Sequence, residues 1–438
     1  MNYIMKKNTL SSWKRVQIGS VCHGIYDGLH ATPKPASEGA IFLGIKNITE
    51  DGQLDLSEIR YIAEEDFAIW TKRAQPLPGD IVFVYEATLN RYAIIPKGFR
   101  GCLGRRLAVI KPNIEEVDNR FLFYYFFGED WRRTIAKNIL SGSTVDRIPI
   151  SSFPTFEISL PPLSIQKKIA DILSAYDDLI KNNTRRIKIL EEMARLLYCE
   201  WFVNFRFPNH QKVPMVESEL GLIPQGWEIK ELSDIASVID CLHSKKPQDI
   251  GEGYPLLQVW NIAEYGRLDL SKQYLISEED YKKWISRIEV TTGDCVVTNV
   301  GRIGAVAQIP EGIKAAIGRN MTAIRCKEAF ITPTFLIEYL LSPIGRREVE
   351  LKTDSGTIMN SLNVKGIVKL RVITPPKNLV KNFEKIARPM RYRAELLMKQ
   401  NTVLRKTRDL LLPKLISGEI DVESLDSATE TDLKELAA

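Results

Sequence analysis

A single shift of 214 positions lays the second half of this 438-residue chain onto the first, and no other feature constrains its fold as tightly. Trp13 falls on Trp227, the run Gly52-Gln53-Leu54-Asp55-Leu56-Ser57 on Gly266-Arg267-Leu268-Asp269-Leu270-Ser271, Trp70 on Trp284 and Arg73 on Arg287. Downstream, the same offset pairs Gly79-Asp80 with Gly293-Asp294, Gly104-Arg105 with Gly318-Arg319, Ser141-Gly142 with Ser355-Gly356, and Pro161-Pro162 with Pro375-Pro376. A constant offset across so many turn glycines and aromatics marks one unit of about 200 residues used twice, far longer than a solenoid period. Two copies of one module imply two copies of one task.

Each copy has a globular part and a helical part. Residues 13 to about 160 carry strand-like runs, Ala40 to Ile45, Asp80 to Tyr85 and Arg106 to Ile110, between Gly and Pro turns, and residues 227 to about 374 repeat them. After each Pro-Pro the pattern turns helical. From Ser164 to Phe202 there is no Gly or Pro, and Ile169, Ile172, Tyr176, Leu179, Leu190 and Leu197 recur near every 3.5 residues, with Asn183 and Arg186 as polar positions on the same seam. The second segment answers with Phe383, Ile386, Met390, Leu397, Leu404 and Leu411, although Pro389 predicts a kink or restart near its beginning. The two stripes most economically satisfy one another as an antiparallel pair, each on the order of 55–60 Å long at 1.5 Å per residue, holding the two globular parts apart. Residues 206–226, with Pro208, Pro214 and Pro224, read as a structured crossover.

Bulk properties exclude several classes. No apolar run approaches the ~20 residues of a membrane span, and the N-terminus has no apolar signal core, so a cytoplasmic protein with no membrane partner is expected. None of the six cysteines recurs at the 214-residue offset, which lands on Ala236, Ala316, Pro413, Asp27, Ile81 and Pro112, so they read as incidental reduced thiols and no metal is expected. The net charge of +5 conceals an acidic C-terminus (Glu419, Asp421, Glu423, Asp426, Glu430, Asp432, Glu435), so the remainder is more basic and suits a polyanion.

The search for catalytic chemistry fails: there is no phosphate loop, H-E-x-x-H, G-x-S-x-G or kinase signature. Leu160-Pro161-Pro162-Leu163 and Thr374-Pro375-Pro376-Lys377 lack the polar acceptor and aromatic of an amino-methyltransferase motif and read as helix starts. Polar loops remain, most repeated but the Arg302 loop in the second module only, and they supply the candidate contacts to a polyanion. In the first module these are His30, Lys34, Lys46, Asn90, Arg91, Arg105, Arg106, Ser141, Ser143 and Thr144; in the second, His243, Lys245, Lys246, Arg302, Arg319, Asn320, Ser355 and Thr357. Basic, hydroxyl and amide groups of this kind contact phosphates and base edges. The framework agrees between modules while loops diverge: Lys46 faces Trp260, Asn90 faces Gly304 and Arg106 faces Asn320, as in two readers of different sequences.

This layout resembles the specificity subunit of type I restriction-modification systems. Glu200-Trp201-Phe202-Val203-Asn204-Phe205-Arg206-Phe207-Pro208 and Ile223-Pro224-Gln225-Gly226-Trp227-Glu228 are similar to the family's central conserved region and the entry to its second recognition domain; Leu411-Leu412-Pro413-Lys414-Leu415-Ile416-Ser417-Gly418-Glu419-Ile420 is similar to its distal conserved end. The resemblance implies an α+β fold with a pseudo-twofold internal repeat, in which two similar mixed α/β target-recognition domains are separated by two long antiparallel helices forming a coiled coil. It divides the chain into a first recognition domain (1–162), a central helical region (163–205), a crossover (206–226), a second recognition domain (227–376), a distal helical region (377–418) and an acidic tail (419–438). It implies a non-catalytic chain that binds double-stranded DNA, one half of a bipartite asymmetric site per domain, with the helices setting the gap. Two modification subunits would methylate adenine N6, and restriction subunits would join through the complex. S-adenosylmethionine, ATP and Mg would sit on those partners and no cofactor on this chain. The alternative is a self-sufficient DNA methyltransferase or nuclease.

Overall fold

A computed structural model describes residues 13–141, 145–327, 331–354 and 360–423. The chain divides into two compact units, Met1–Lys181 with Asn401–Ala438, and Asn182–Gln400. The division runs through both long helices. The sequence reading treats the helices as segments of their own, but each half-helix buries its apolar seam in the core of one module.

In the first unit, strands Cys22–Asp27, Leu107–Pro112, Ile81–Val84 and Tyr92–Ile94 form an antiparallel four-stranded sheet in that order. A three-stranded sheet joins Arg60–Ile62, Ala40–Leu43 and Gly101–Leu103, the last pair parallel. The second unit repeats both: Ala236–Asp240, Met321–Cys326, Cys295–Thr298 and Val306–Gln308, then Leu275–Ile276, Tyr254–Leu257 and Ala316–Ile317. The register repeats as well. Ile81 pairs with Ile110 and Cys295 with Ile324; Lys14 pairs with Leu160 and Glu228 with Thr374. The offset of the sequence is therefore an offset of hydrogen bonds. Gly52 and Gly266 show why the shared glycines are invariant between copies: both have positive φ, 84° and 72°, and a Cβ would lie 2.6 Å from Phe123 and 2.9 Å from Ile337.

The aromatic run after Asp118 is helical over Asn119–Tyr125 and buried, capped by the Asp118 carboxylate on the Arg120 and Phe121 amides. Its rings pack with Trp131, Phe153 and Phe156, and Trp131 Nε1 donates to Tyr92 Oη at 2.8 Å, so the buried polar atoms are satisfied.

Each Pro-Pro starts a helix, Leu163–Tyr198 and Lys377–Ile416. Within the first unit Asn401 Nδ2 donates to the Ile180 carbonyl and Arg408 pairs with Asp177, which sets the two half-helices antiparallel. Within the second unit Ile187 packs with Ala394 and Leu397. Buried positions with heptad spacing include 169, 173, 183, 187, 194 and 198 on one helix and 380, 383, 387, 394, 397 and 401 on the other.

Four expectations need correction. In the first seam Ile169 and Asn183 are buried as expected, while the other position of each heptad is off by one. Leu173 is wholly buried where Ile172 is only partly so, and Leu179 is 52% exposed. Arg186 is exposed beside buried Ile187, and Ile386 is 41% exposed beside fully buried Ala387. Neighbouring apolar residues leave the phase of a 3.5-residue repeat ambiguous, and the module core packed on each helix selects Leu173 and Ala387. Pro389 does not interrupt its helix, which runs unbroken through both Pro389 and Pro413. Proline removes one amide donor, and Pro389 and Lys385, whose carbonyl loses its partner, are both exposed to water.

After the first helix, Cys199–Val203 closes in a π-turn that buries Trp201 and Phe202 against Trp227, Phe335 and Phe383. The crossover then pairs Met215–Val216 with Ile223–Pro224. No helix among the described residues is long and apolar enough to cross a membrane.

Candidate nucleic-acid interface

The loop geometry of each module rests on one buried asparagine. Asn47 Oδ1 accepts from the Gly44 amide at 2.9 Å, and its Nδ2 donates to the carbonyls of Asp55 and Glu58 at 2.9 and 3.2 Å. Asn261 makes the same three bonds 214 residues later, from the Gln258 amide at 2.8 Å and to Asp269 and Lys272 at 2.7 and 2.9 Å. A buried amide that satisfies three backbone groups fixes the loop around it. The residue just before each asparagine, Lys46 or Trp260, is exposed at its turn.

Around Lys46 lies a cleft of about 500 Å³ lined by Phe42, Lys46, Glu58, Arg60, Arg105 and Arg106 among others. Three of the candidate contacts thus converge on one open cavity with a basic wall. Arg105 is exposed, and its carbonyl accepts from Tyr85 Oη at 2.5 Å, which anchors the backbone and leaves the guanidinium outward. Arg106 lies 2.9 Å from Glu86.

The corresponding place in the second module has different chemistry. Trp260 is 46% exposed, its ring centroid 6.4 Å from that of Tyr274. Lys246 Nζ lies 3.9 Å above Tyr274 and 5.0 Å from Trp260, and Lys272 Nζ lies 5.4 Å from Trp260. Burial among these rings lowers the Lys246 ammonium below its ordinary value, with the Asp249 charge acting the other way. Arg60 and Glu58 of the first module correspond to Tyr274 and Lys272 here.

The histidines behave alike in both copies. His30 Nε2 is 2.6 Å from Asp27 Oδ2 and His243 Nε2 is 2.7 Å from Asp240 Oδ2, and both rings are exposed. Arg73 holds Asp27 at 2.6 Å, while its counterpart Arg287 is 4.0 Å from Asp240 and donates to the Cys241 carbonyl. Burial would raise the Asp27 carboxyl, but hydrogen bonds and charge from His30 and Arg73 outweigh it and hold the group below the ordinary carboxylate range. Asp240, Cys241 and His243 bring potential ligand atoms within 4.8 Å of one another, a proximity absent from the sequence reading. Strand pairing makes Asp240 the counterpart of Asp27, a local offset of 213, so the first module has Gly28 where the thiol stands; burial raises the Cys241 thiol, and Arg287 already brings positive charge to the carboxylate, so an ion pair accounts for the cluster.

Other candidates serve the scaffold. Arg91 Nη1 donates to the Ile48 carbonyl and Arg302 Nη1 to that of Ile262, equivalent acceptors reached from non-equivalent positions, and Arg91 also pairs with Glu50. Asn90 and Gly304 share the left-handed conformation, φ 61° and 68°, as does Asn320 at 65°, so their identities answer to turn geometry. Lys34, Lys245 and Arg319 are exposed on loops, and Ser141 is an exposed strand residue paired with Asp146. Ser143, Thr144, Ser355 and Thr357 lie outside the described residues.

Sequence reasoning missed the polar groups that seat each module on its half-helices. In the first unit Tyr124 Oη donates to Asp177 Oδ2 at 2.6 Å and Arg408 pairs with the same carboxylate. In the second, Arg391 pairs with buried Glu338 at 2.8 Å, and Arg267 lies 3.3 Å from buried Glu191. Burial pushes the Glu191 carboxyl up to about 7 against the pull of Arg267 and Arg391, and raises Glu338 against that of Arg391. The offset places Glu338 on Tyr124 and Arg391 on Asp177, so the helix contributes an anion in one unit and a cation in the other.

A family model described as the type I restriction modification DNA specificity domain matches residues 11–192, the first module and most of its helix. The chain is 29% identical over 356 residues to the MjaIX specificity subunit of Methanocaldococcus jannaschii, covering 79% of each, and 24% identical over 426 residues to the putative MjaX specificity subunit of that organism, covering 94% of each. The chain is thus similar over most of its length to specificity subunits of type I restriction-modification systems. It is also 26% identical over 367 residues to the EcoBI specificity subunit of Escherichia coli, covering 79% of this chain and 74% of that one. The crystal structure of an S subunit from M. genitalium has the same fold, with a TM-score of 0.56 at 16% identity over 94% of this chain and 97% of the other. Specificity subunits of this family are non-catalytic recognition components.

Proposed function

We propose that each module reads one half of a bipartite, asymmetric site on double-stranded DNA. The observation that carries this reading is the pair of identical asparagine posts presenting different chemistry, a cleft with Lys46, Arg60 and Arg105 in one module and Trp260 flanked by Lys246 and Lys272 in the other. A shared fold with divergent loop chemistry suits two different half-sites, since major-groove edges are told apart by donors, acceptors and the thymine methyl. The long helices set the gap between the halves.

Two modification subunits dock on the helices and methylate adenine N6, and restriction subunits join through them. Apolar side chains left exposed on the helices support docking on each unit: Ile189, Met193 and Leu196 at i, i+4 and i+7 in the second, and Val403 and Leu410 in the first. S-adenosylmethionine, ATP and Mg belong to those subunits. The pure chain incubated with DNA and labelled S-adenosylmethionine transfers no methyl group, and transfer appears when modification subunits are added; transfer by the chain alone would establish a self-sufficient methyltransferase. In the assembled complex, affinity for DNA falls steeply with salt, and a salt-independent affinity argues against phosphate contact.

A further inference from the structure

We propose that the equivalent positions 46 and 260 are the base-discriminating positions of the two modules, and that Trp260 packs on the C5-methyl of a thymine in the second half-site. This rests on the reading that the modules meet DNA and goes further in naming the residue and the chemical group it recognises.

Position 46/260 is the exposed residue of a turn whose next residue is pinned by three repeat-equivalent hydrogen bonds, so both modules hold the same backbone point and vary only the side chain. A tryptophan 46% exposed at such a point leaves a large apolar surface in water, a cost that contact with a partner offsets. Its surroundings identify the partner's charge. Lys246 and Lys272 bring two ammonium groups to within 5.0 and 5.4 Å of the ring centroid, which suits a polyanion running past the ring. The indole itself offers one N–H donor and no acceptor, so it pairs poorly with the hydrogen-bonding pattern of most base edges. Among the four bases only thymine presents an apolar group in the major groove. Lys46, a cationic donor beside Arg60 and Arg105, matches the guanine O6 and N7 acceptors in the same way.

The test uses the chain assembled with its modification subunits. Bound DNA is selected from a random pool to define both half-sites, and each thymine of the second half-site is then replaced in turn by deoxyuridine, which removes only the methyl group. One such replacement weakens binding by the wild-type complex about fourfold, the worth of one buried methyl, and leaves the Trp260→Ala complex unaffected. Trp260→Ala also relaxes the selected sequence at that one position while the first half-site is unchanged, and Trp260→Lys shifts it toward guanine. Because Trp260 lies outside the buried cores, melting temperatures of the variants within a few degrees of wild type show that the module is folded. A second half-site that keeps its sequence and its methyl sensitivity in Trp260→Ala, or that contains no methyl-sensitive thymine, overturns the inference. A wild-type complex that selects no sequence at all instead overturns the DNA-reading function on which it rests.

Discussion

Replacing Glu191 by glutamine tests how the second module is seated on its helices. The carboxyl is 5% exposed, lies 3.3 Å from Arg267, and has one oxygen without a hydrogen-bond partner among the described residues. Burial carries it from an ordinary value of 4.5 to about 7, so the folded chain holds a proton there that the unfolded chain has released. Between those limits the folded state binds more protons than the unfolded, and stability therefore falls as pH rises from about 4.5 to 7 and then levels off. At about 1.4 kcal/mol for each tenfold change in proton affinity, the ceiling is roughly 3 kcal/mol, and relaxation around Arg267 and Arg391 brings the expected effect to about 1–3 kcal/mol. The amide introduced by Glu191→Gln has the same shape as the carboxyl and never ionises. Urea unfolding of both proteins at pH 4, 5, 6, 7 and 8 should give nearly equal stabilities at pH 4 and a variant more stable by that margin at pH 8. A difference that does not change with pH, or a variant that loses ground as pH rises, refutes the argument, because ionised Glu191 would then be a stabilising partner of its arginines.

Arg105→Ala weakens recognition of the first half-site alone and Arg319→Ala of the second alone, about ten- to a hundredfold where the lost contact is bidentate, as read by methylation rates on substrates with one altered half. Leu173→Ala costs about 2–5 kcal/mol in urea unfolding, whereas Leu179→Ala stays within about 0.5 kcal/mol, which checks the phase of the helix seam. Asp177→Asn leaves the mostly buried Arg408 guanidinium with only the exposed Asp409 as charge partner and costs about 1–3 kcal/mol, measured by the same unfolding. Removing one heptad from both helices changes the gap between half-sites and leaves their sequences alone, as read from selected DNA.

What the sequence discloses and what it hides have different physical origins. The sheets were legible because repeated glycines, prolines and apolar runs fix turns and strands locally, and the repeat doubled every signal. The helix seam was legible in period and only half in phase: Leu173 beside Ile172, and Ala387 beside Ile386, are told apart by which module core packs on the helix, which spacing alone does not carry. Among the site residues, Lys46, Arg105 and Arg106 come together at one cleft, and Lys246 joins Trp260. Arg91, Arg302, Asn90 and Asn320 turned out to serve turns and carbonyls, because a polar residue on a loop looks the same in sequence whether it faces solvent or its own backbone. Asn47 and Asn261 were missed although they match at the 214-residue offset. A polar residue conserved between two diverging loops was the available signal, and it marked the post rather than the reader.

The central claim is that one chain holds two independent DNA readers. Adenine methylation mapped across the genome of cells carrying this chain with its modification subunits tests it most directly, alongside cells carrying Arg105→Ala. Two short sequences separated by a constant unspecified gap are expected, with the variant altering only one of them. A single uninterrupted recognition sequence, or a variant that alters both halves equally, contradicts it.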